Sequence, residues 1–138
     1  MADCALRVRE IRLGETTQVV ITHKGRRLAG PFKSREEREL VVADAAEAHT
    51  LLEALGYEPR RTFEKRRTRY KLDGCLIELD ELPKLGTFIE IEGPGDAAVT
   101  AVRTALQLDS EPLVESGYAV MVDAYLDERG GSETPLCF

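Results

Sequence analysis

The side chains equipped for chemistry in this sequence are arginines, lysines and carboxylates, set two residues apart in short runs. Side chains alternate faces along an extended strand, so an i, i+2 spacing puts two like groups on one face. Arg7 and Arg9 are placed this way, opposite Leu6 and Val8. Arg35, Glu37 and Glu39 share a face, as do Lys65, Arg67 and Arg69. Glu78 and Asp80 share another, with Ile77 and Leu79 opposite; Glu90 and Glu92 join Phe88, with Ile89 and Ile91 opposite. Paired carboxylates offer hard oxygen ligands, which suit Mg2+ or Mn2+. Clustered arginine and lysine suit phosphate oxygens, with arginine able to grip two at once. Acidic and basic sets on neighbouring strands are what metal-assisted phosphoryl transfer needs. They are equally the pattern of ordinary cross-strand ion pairs.

These residues need strands to position them, and six segments read as strands: 5–11, 18–24, 34–42, 61–72, 75–82 and 87–93. The first two flank a Gly-Glu-Thr turn and form a candidate hairpin, the third follows the breaker Gly30-Pro31-Phe32, and Asp73-Gly74 is a strong two-residue hairpin turn between the fourth and fifth. The last three strands, joined tightly, predict an antiparallel meander. Three helices are expected outside it. One runs from Asp44 to Leu55 with Gly56 as its terminator, one from an Asp96 cap to about Leu106, and one from a Ser116 cap to about Leu126. Alternation leaves two arrangements open. One is a half-exposed sheet with its charges in water. The other is a sheet curled into a barrel, with charges lining a wet interior that suits ions and a polyanion.

At 138 residues, 43% apolar and 32% charged, the chain is long enough for one folded domain with a core. We read it as a single domain over 1–129 with a loose tail over 130–138. Its net charge of −6 argues against nucleic-acid binding. No run approaches the roughly 18 apolar residues of a membrane span, and the first ten residues have no apolar signal core, so a cytoplasmic location is expected. Cys4, Cys75 and Cys137 lack metal-ligand spacing and read as free or buried thiols. His23 and His49 are too few and too far apart for zinc. Ser34, Ser110 and Ser116 sit in no nucleophile elbow, and the Gly-Gly-Ser run near the C-terminus lacks the strand and lysine of a P-loop.

The order and spacing of the charged runs resemble the CYTH family, which includes class IV adenylate cyclases, thiamine triphosphatases and inorganic triphosphatases. Leu6-Arg-Val-Arg-Glu10 resembles its Arg-x-Arg strand, and Lys24 stands in the position of a family lysine. Residues 34–42, SREERELVV, resemble its R-x-E-x-E strand, and 64–70, EKRRTRY, its K-x-R-x-x-Y strand. The most specific stretch is 77–93, IELDELPKLGTFIEIEG; Ser116-Gly-Tyr118 resembles a further feature. The resemblance implies an α+β fold: an antiparallel eight-stranded barrel around a triphosphate tunnel, with helices packed outside. It implies that Arg7, Arg9, Lys24, Lys65 and Arg67 bind a triphosphate. Glu37, Glu39, Asp80, Glu90 and Glu92 would hold or support one or two Mg2+ or Mn2+ ions. The expected partner is a small triphosphate molecule, with no nucleic acid and no membrane, and the expected state is a monomer or homodimer. The expected activity is triphosphate hydrolysis or cyclisation of ATP; the alternative is a non-catalytic nucleotide or polyphosphate binder. Family members open on an E-x-E-x-K strand, a helix and another strand before Arg-x-Arg. Here Arg7 comes almost at once, so the barrel is expected to be incomplete and activity weak.

Overall fold

The computed structural model describes residues 4–29, 34–130 and 135–138. The Gly30-Pro31-Phe32 breaker and the tail at 131–134 lie outside the described residues. The chain divides into two compact units, Met1–Pro59 and Arg60–Phe138.

In the first unit, β1 (Ala5–Leu13) and β2 (Thr16–Leu28) form the expected hairpin, and β3 (Ser34–Val42) pairs antiparallel with the other edge of β2. The register places Arg7 opposite Thr22, and Thr22 in turn opposite Glu39; Lys24 faces Glu37. Helix α1 (Ala45–Ala54) packs on β1 and buries Ala48. Its N-terminus follows the expected chemistry: the Asp44 carboxylate accepts from the Glu47 backbone N–H at 2.9 Å.

In the second unit, β4 (Arg66–Leu72), β5 (Cys75–Leu82) and β6 (Gly86–Glu92) form the expected meander in the order β4-β5-β6. Asp73 and Gly74 turn the β4–β5 hairpin with φ of 48° and 77°. Positive φ at both positions is what a primed turn needs and what Asp-Gly tolerates best. Helix α2 (Asp96–Ala105) covers β5 and β6. There Cys75, Ile77 and Val102 form a buried cluster with Leu72, Ile91, Ala98 and Leu106 against it; each large aliphatic so buried contributes about 1.5–3 kcal/mol. A Cβ at Gly93 would lie 2.6 Å from Cys75 Sγ, so the chain approaches this cluster too closely for any side chain. Helix α3 (Tyr118–Glu128) buries Val122 and Leu126 with Leu136, and Phe63, Leu85 and Tyr125 pack around them.

Several expectations are corrected. The closed barrel implied by the resemblance, already expected here to be incomplete, is not formed among the described residues, whose strands make two three-stranded sheets. The long strand expected at 61–72 begins only at Arg66; before it, Phe63 makes a lone parallel bridge to Leu136. The tail expected to be loose therefore carries a buried residue: Leu136 is 3% exposed, its N–H donates to Thr62 O, and its carbonyl accepts from Glu64 N–H. An apolar side chain beside Phe63 finds burial there that local sequence does not announce. The caps of α2 and α3 are Gly95 and Gly117, without side-chain capping bonds, rather than Asp96 and Ser116. Among the described residues no helix is long and apolar enough to cross a membrane, and all three cysteines are free, with Cys75 buried.

Candidate functional site

The charged face of the second unit is built on β5. Directly across the β4–β5 ladder, Arg67 faces Asp80 and Arg69 faces Glu78; across β5–β6, Glu78 faces Glu90. Alternation turns these residues to one side of the sheet. Arg67 stands at the centre. Its Nε donates to Asp80 Oδ1 at 2.5 Å, its Nη2 donates to Asp80 Oδ2 and, at 2.6 Å, to Glu90 Oε2, and its Nη1 is paired with Glu78 Oε2. Lys65, just before β4, donates to Asp80 Oδ2 at 3.0 Å, and Arg69 Nε donates to Glu78 Oε1 at 2.7 Å. Glu78 and Asp80 are 1% and 0% exposed. Carboxylates buried so deeply require cations on them.

Tyr118, at the start of α3, closes one side of this cluster. Its ring lies 5.5 Å from that of Phe88, and Lys65 Nζ sits 5.3 Å from its centroid. The cluster perturbs its own titrations. Burial, and then the neighbouring Arg67 charge, pull the Lys65 pKa down; Asp80 and Glu90 oppose this only in part. Burial works to raise the Asp80 pKa, but hydrogen bonds and charge from Arg67 and Lys65 prevail and hold it below the usual carboxylate range. Arg67 is raised, burial being outweighed by Asp80, Glu78 and Glu90. Burial first, and then Glu90 and Asp80, push the Tyr118 phenol up.

One set of carboxylates can share an ion. Oxygens of Glu78, Glu90 and Glu92 lie within 4.8 Å of one another. Three hard anionic donors with one buried member fit Mg2+ or Mn2+. Of the expected metal residues, Glu90 and Glu92 belong to this set. Glu78, read from the sequence as one of a carboxylate pair with Asp80 but left out of the expected metal set, joins them, whereas both Asp80 oxygens accept from cationic side chains. Register explains the difference. Glu78 lies directly opposite Glu90, while Asp80 lies opposite Phe88.

On the first unit, Arg7, Arg9, Lys24, Glu37 and Glu39 share a face of β1-β2-β3 by alternation. Arg9 Nη2 donates to Glu39 Oε1 at 3.3 Å, Thr22 Oγ1 donates to the same oxygen at 3.0 Å, and Lys24 Nζ donates to Glu37 Oε1 at 2.5 Å. Thr22 is fully buried. Sequence reasoning missed Thr22, although its even spacing from Lys24 placed it on the charged face. It named Tyr118 only by resemblance.

The profile of the CYTH domain family matches residues 1–119, most of the chain. The chain belongs to the CYTH domain family. A protein of Methanocaldococcus jannaschii, "Putative adenylate cyclase MJ0240", is 30% identical over 90 residues, or 65% of this chain and 49% of that protein. The chain thus spans about half the length of the curated relative it matches. Among solved structures, the PH1819 protein of Pyrococcus horikoshii superposes with a TM-score of 0.80 at 30% identity, over 90% of this chain and 75% of that one. The PH1012 protein of the same organism gives 0.73 at 30% identity, over 83% and 72%. A conserved hypothetical protein of Pyrococcus furiosus gives 0.73 at 25% identity, over 83% and 72%.

Proposed function

We propose that this CYTH-family chain binds a small triphosphate together with Mg2+ or Mn2+ and acts on its phosphoryl groups, by hydrolysis or by cyclising ATP. The observation that carries this reading is the meeting of Lys65 and Arg67 with the converging Glu78, Glu90 and Glu92 on one face of the second unit. A bound divalent cation there would polarise a phosphoryl oxygen and offset developing charge. Lys65 and Arg67 are positioned to hold phosphate oxygens, Arg67 in a plane fixed by Asp80. The Tyr118 phenol, kept neutral by burial and carboxylates, can donate a hydrogen bond to an anionic oxygen. Taken by itself, the first unit carries on one face Arg7, Arg9 and Lys24, which we propose as phosphate-binding residues, and Glu37 and Glu39, which we propose as metal ligands. The name of the archaeal relative favours ATP among the substrates.

Thermal shift with tripolyphosphate, thiamine triphosphate and ATP, each with Mg2+ or Mn2+, tests binding. Ligand at about 100 times its Kd stabilises by roughly 2.7 kcal/mol. An unchanged Tm at millimolar ligand with metal rejects the proposal. Phosphate release and cyclic-nucleotide formation in the same samples separate hydrolysis from cyclisation, and binding without either product identifies a non-catalytic binder.

A further inference from the structure

We infer that Arg67 is an exchangeable counter-ion: it bridges Glu78 and Glu90 until a divalent cation takes their oxygens, and its released edge then turns to the phosphate. This rests on the metal and triphosphate reading above.

Glu78 and Glu90 stand directly opposite each other across β5 and β6. Two carboxylates so placed repel, and Glu78, only 1% exposed, has little water of its own to offset this, while the Glu90 side chain is 41% exposed. The side chain that reaches both is Arg67, through Nη1 to Glu78 and Nη2 to Glu90 at 2.6 Å. The same two carboxylates, with Glu92, are the ones whose oxygens converge within 4.8 Å. A small divalent ion binds carboxylate oxygens at about 2.0–2.1 Å, inside the space where the guanidinium N–H groups now approach. Ion and guanidinium compete for the same lone pairs, and the doubly charged ion is the stronger claimant at close range.

Asp80 decides what becomes of Arg67 afterwards. It lies outside the converging trio and directly across the β4–β5 ladder from Arg67. Its two oxygens take the Nε and Nη2 groups, and Lys65 braces Oδ2 at 3.0 Å. Release from Glu78 and Glu90 therefore leaves the guanidinium tethered along its Nε edge. Of its five N–H donors, the two on Asp80 stay, and the rest become available to phosphate oxygens in a plane already fixed. Metal and triphosphate then favour each other's binding by the same factor, because each removes a competitor of the other.

Arginine side-chain 15N spectra of the wild-type chain, titrated with Mg2+, test this. Arg67 is identified by the resonances lost in Arg67→Lys. Without metal, ion pairing holds the Nη groups still and their resonances are resolved. At saturating Mg2+ the Nη1 resonance should collapse while the Nε signal, held by Asp80, persists. Unchanged Nη and Nε resonances at Mg2+ concentrations that have raised Tm overturn the exchange and leave metal binding standing. No spectral change and no rise in Tm at millimolar Mg2+ overturn both. A second measurement follows free Mn2+ by electron paramagnetic resonance. Arg67→Met should bind Mn2+ about tenfold more tightly than wild type, within the usual range of coupling, and Glu92→Gln more weakly. Equal or weaker Mn2+ binding by a folded Arg67→Met chain also overturns the exchange.

Discussion

Replacing Asp80 by asparagine should destabilise the second unit more than any exposed charge change. Asp80 is fully buried, and three N–H groups of Lys65 and Arg67 converge on its carboxylate. The two cations are themselves only 16% and 15% exposed, so solvent screens little of the loss. Asparagine keeps the shape but removes the charge, and it turns an amide donor toward at least one cation. Removing one partner of a buried pair costs about 3–5 kcal/mol, because the other charge stays behind unpaired. At about 3 kcal/mol the Tm falls by roughly 10 °C for a chain of this size. Calorimetry at pH 7 reads this directly. Acid titration supplies an independent check. The folded Asp80 pKa is depressed, so its stabilisation is present above the unfolded value of about 3.9 and is lost as pH falls through the folded value. The gap in Tm between wild type and Asp80→Asn should therefore narrow below about pH 4. A gap under about 3 °C at pH 7, too small for a broken buried pair, or one that stays constant into acid, would refute the role given to this carboxylate.

Glu36→Ala, which removes an ion pair whose members are 77% and 67% exposed, should change stability by no more than about 0.5 kcal/mol, and urea unfolding would show it. Gly93→Ala drives a methyl toward Cys75 Sγ and should cost about 1–3 kcal/mol; Cys75→Ala in the same chain should recover part of that, and its failure to do so would place the strain elsewhere. Lys65 has a lowered folded pKa, so its charge costs stability at neutral pH, and that cost is relieved as pH rises through the folded value toward about 10.4. The gain in Tm between pH 8 and pH 10 should shrink in Lys65→Met, and an identical gain would show that Lys65 is solvated in the native state.

Much of the local structure was legible in the residues alone. Period-two alternation told which side chains of each strand share a face, because the pleat allows no other arrangement. Asp73-Gly74 announced its turn because few residue pairs accept two positive φ values in succession. Asp44 announced the start of α1 through a bond three residues long. Other features depended on residues far apart in the chain. That Glu78 and not Asp80 joins Glu90 and Glu92 follows from register, which pairs Glu78 with Glu90 and Arg67 with Asp80. The burial of Leu136 beside Phe63, and the placing of Tyr118 over Lys65, follow from how α3 and the chain end pack. Alternation could not say whether the charged faces were wet or buried, because solvent exposure is set by what lies above a face. Only tertiary packing, by burying Glu78 and Asp80, turned a common pattern of cross-strand charges into a cluster with shifted pKa values.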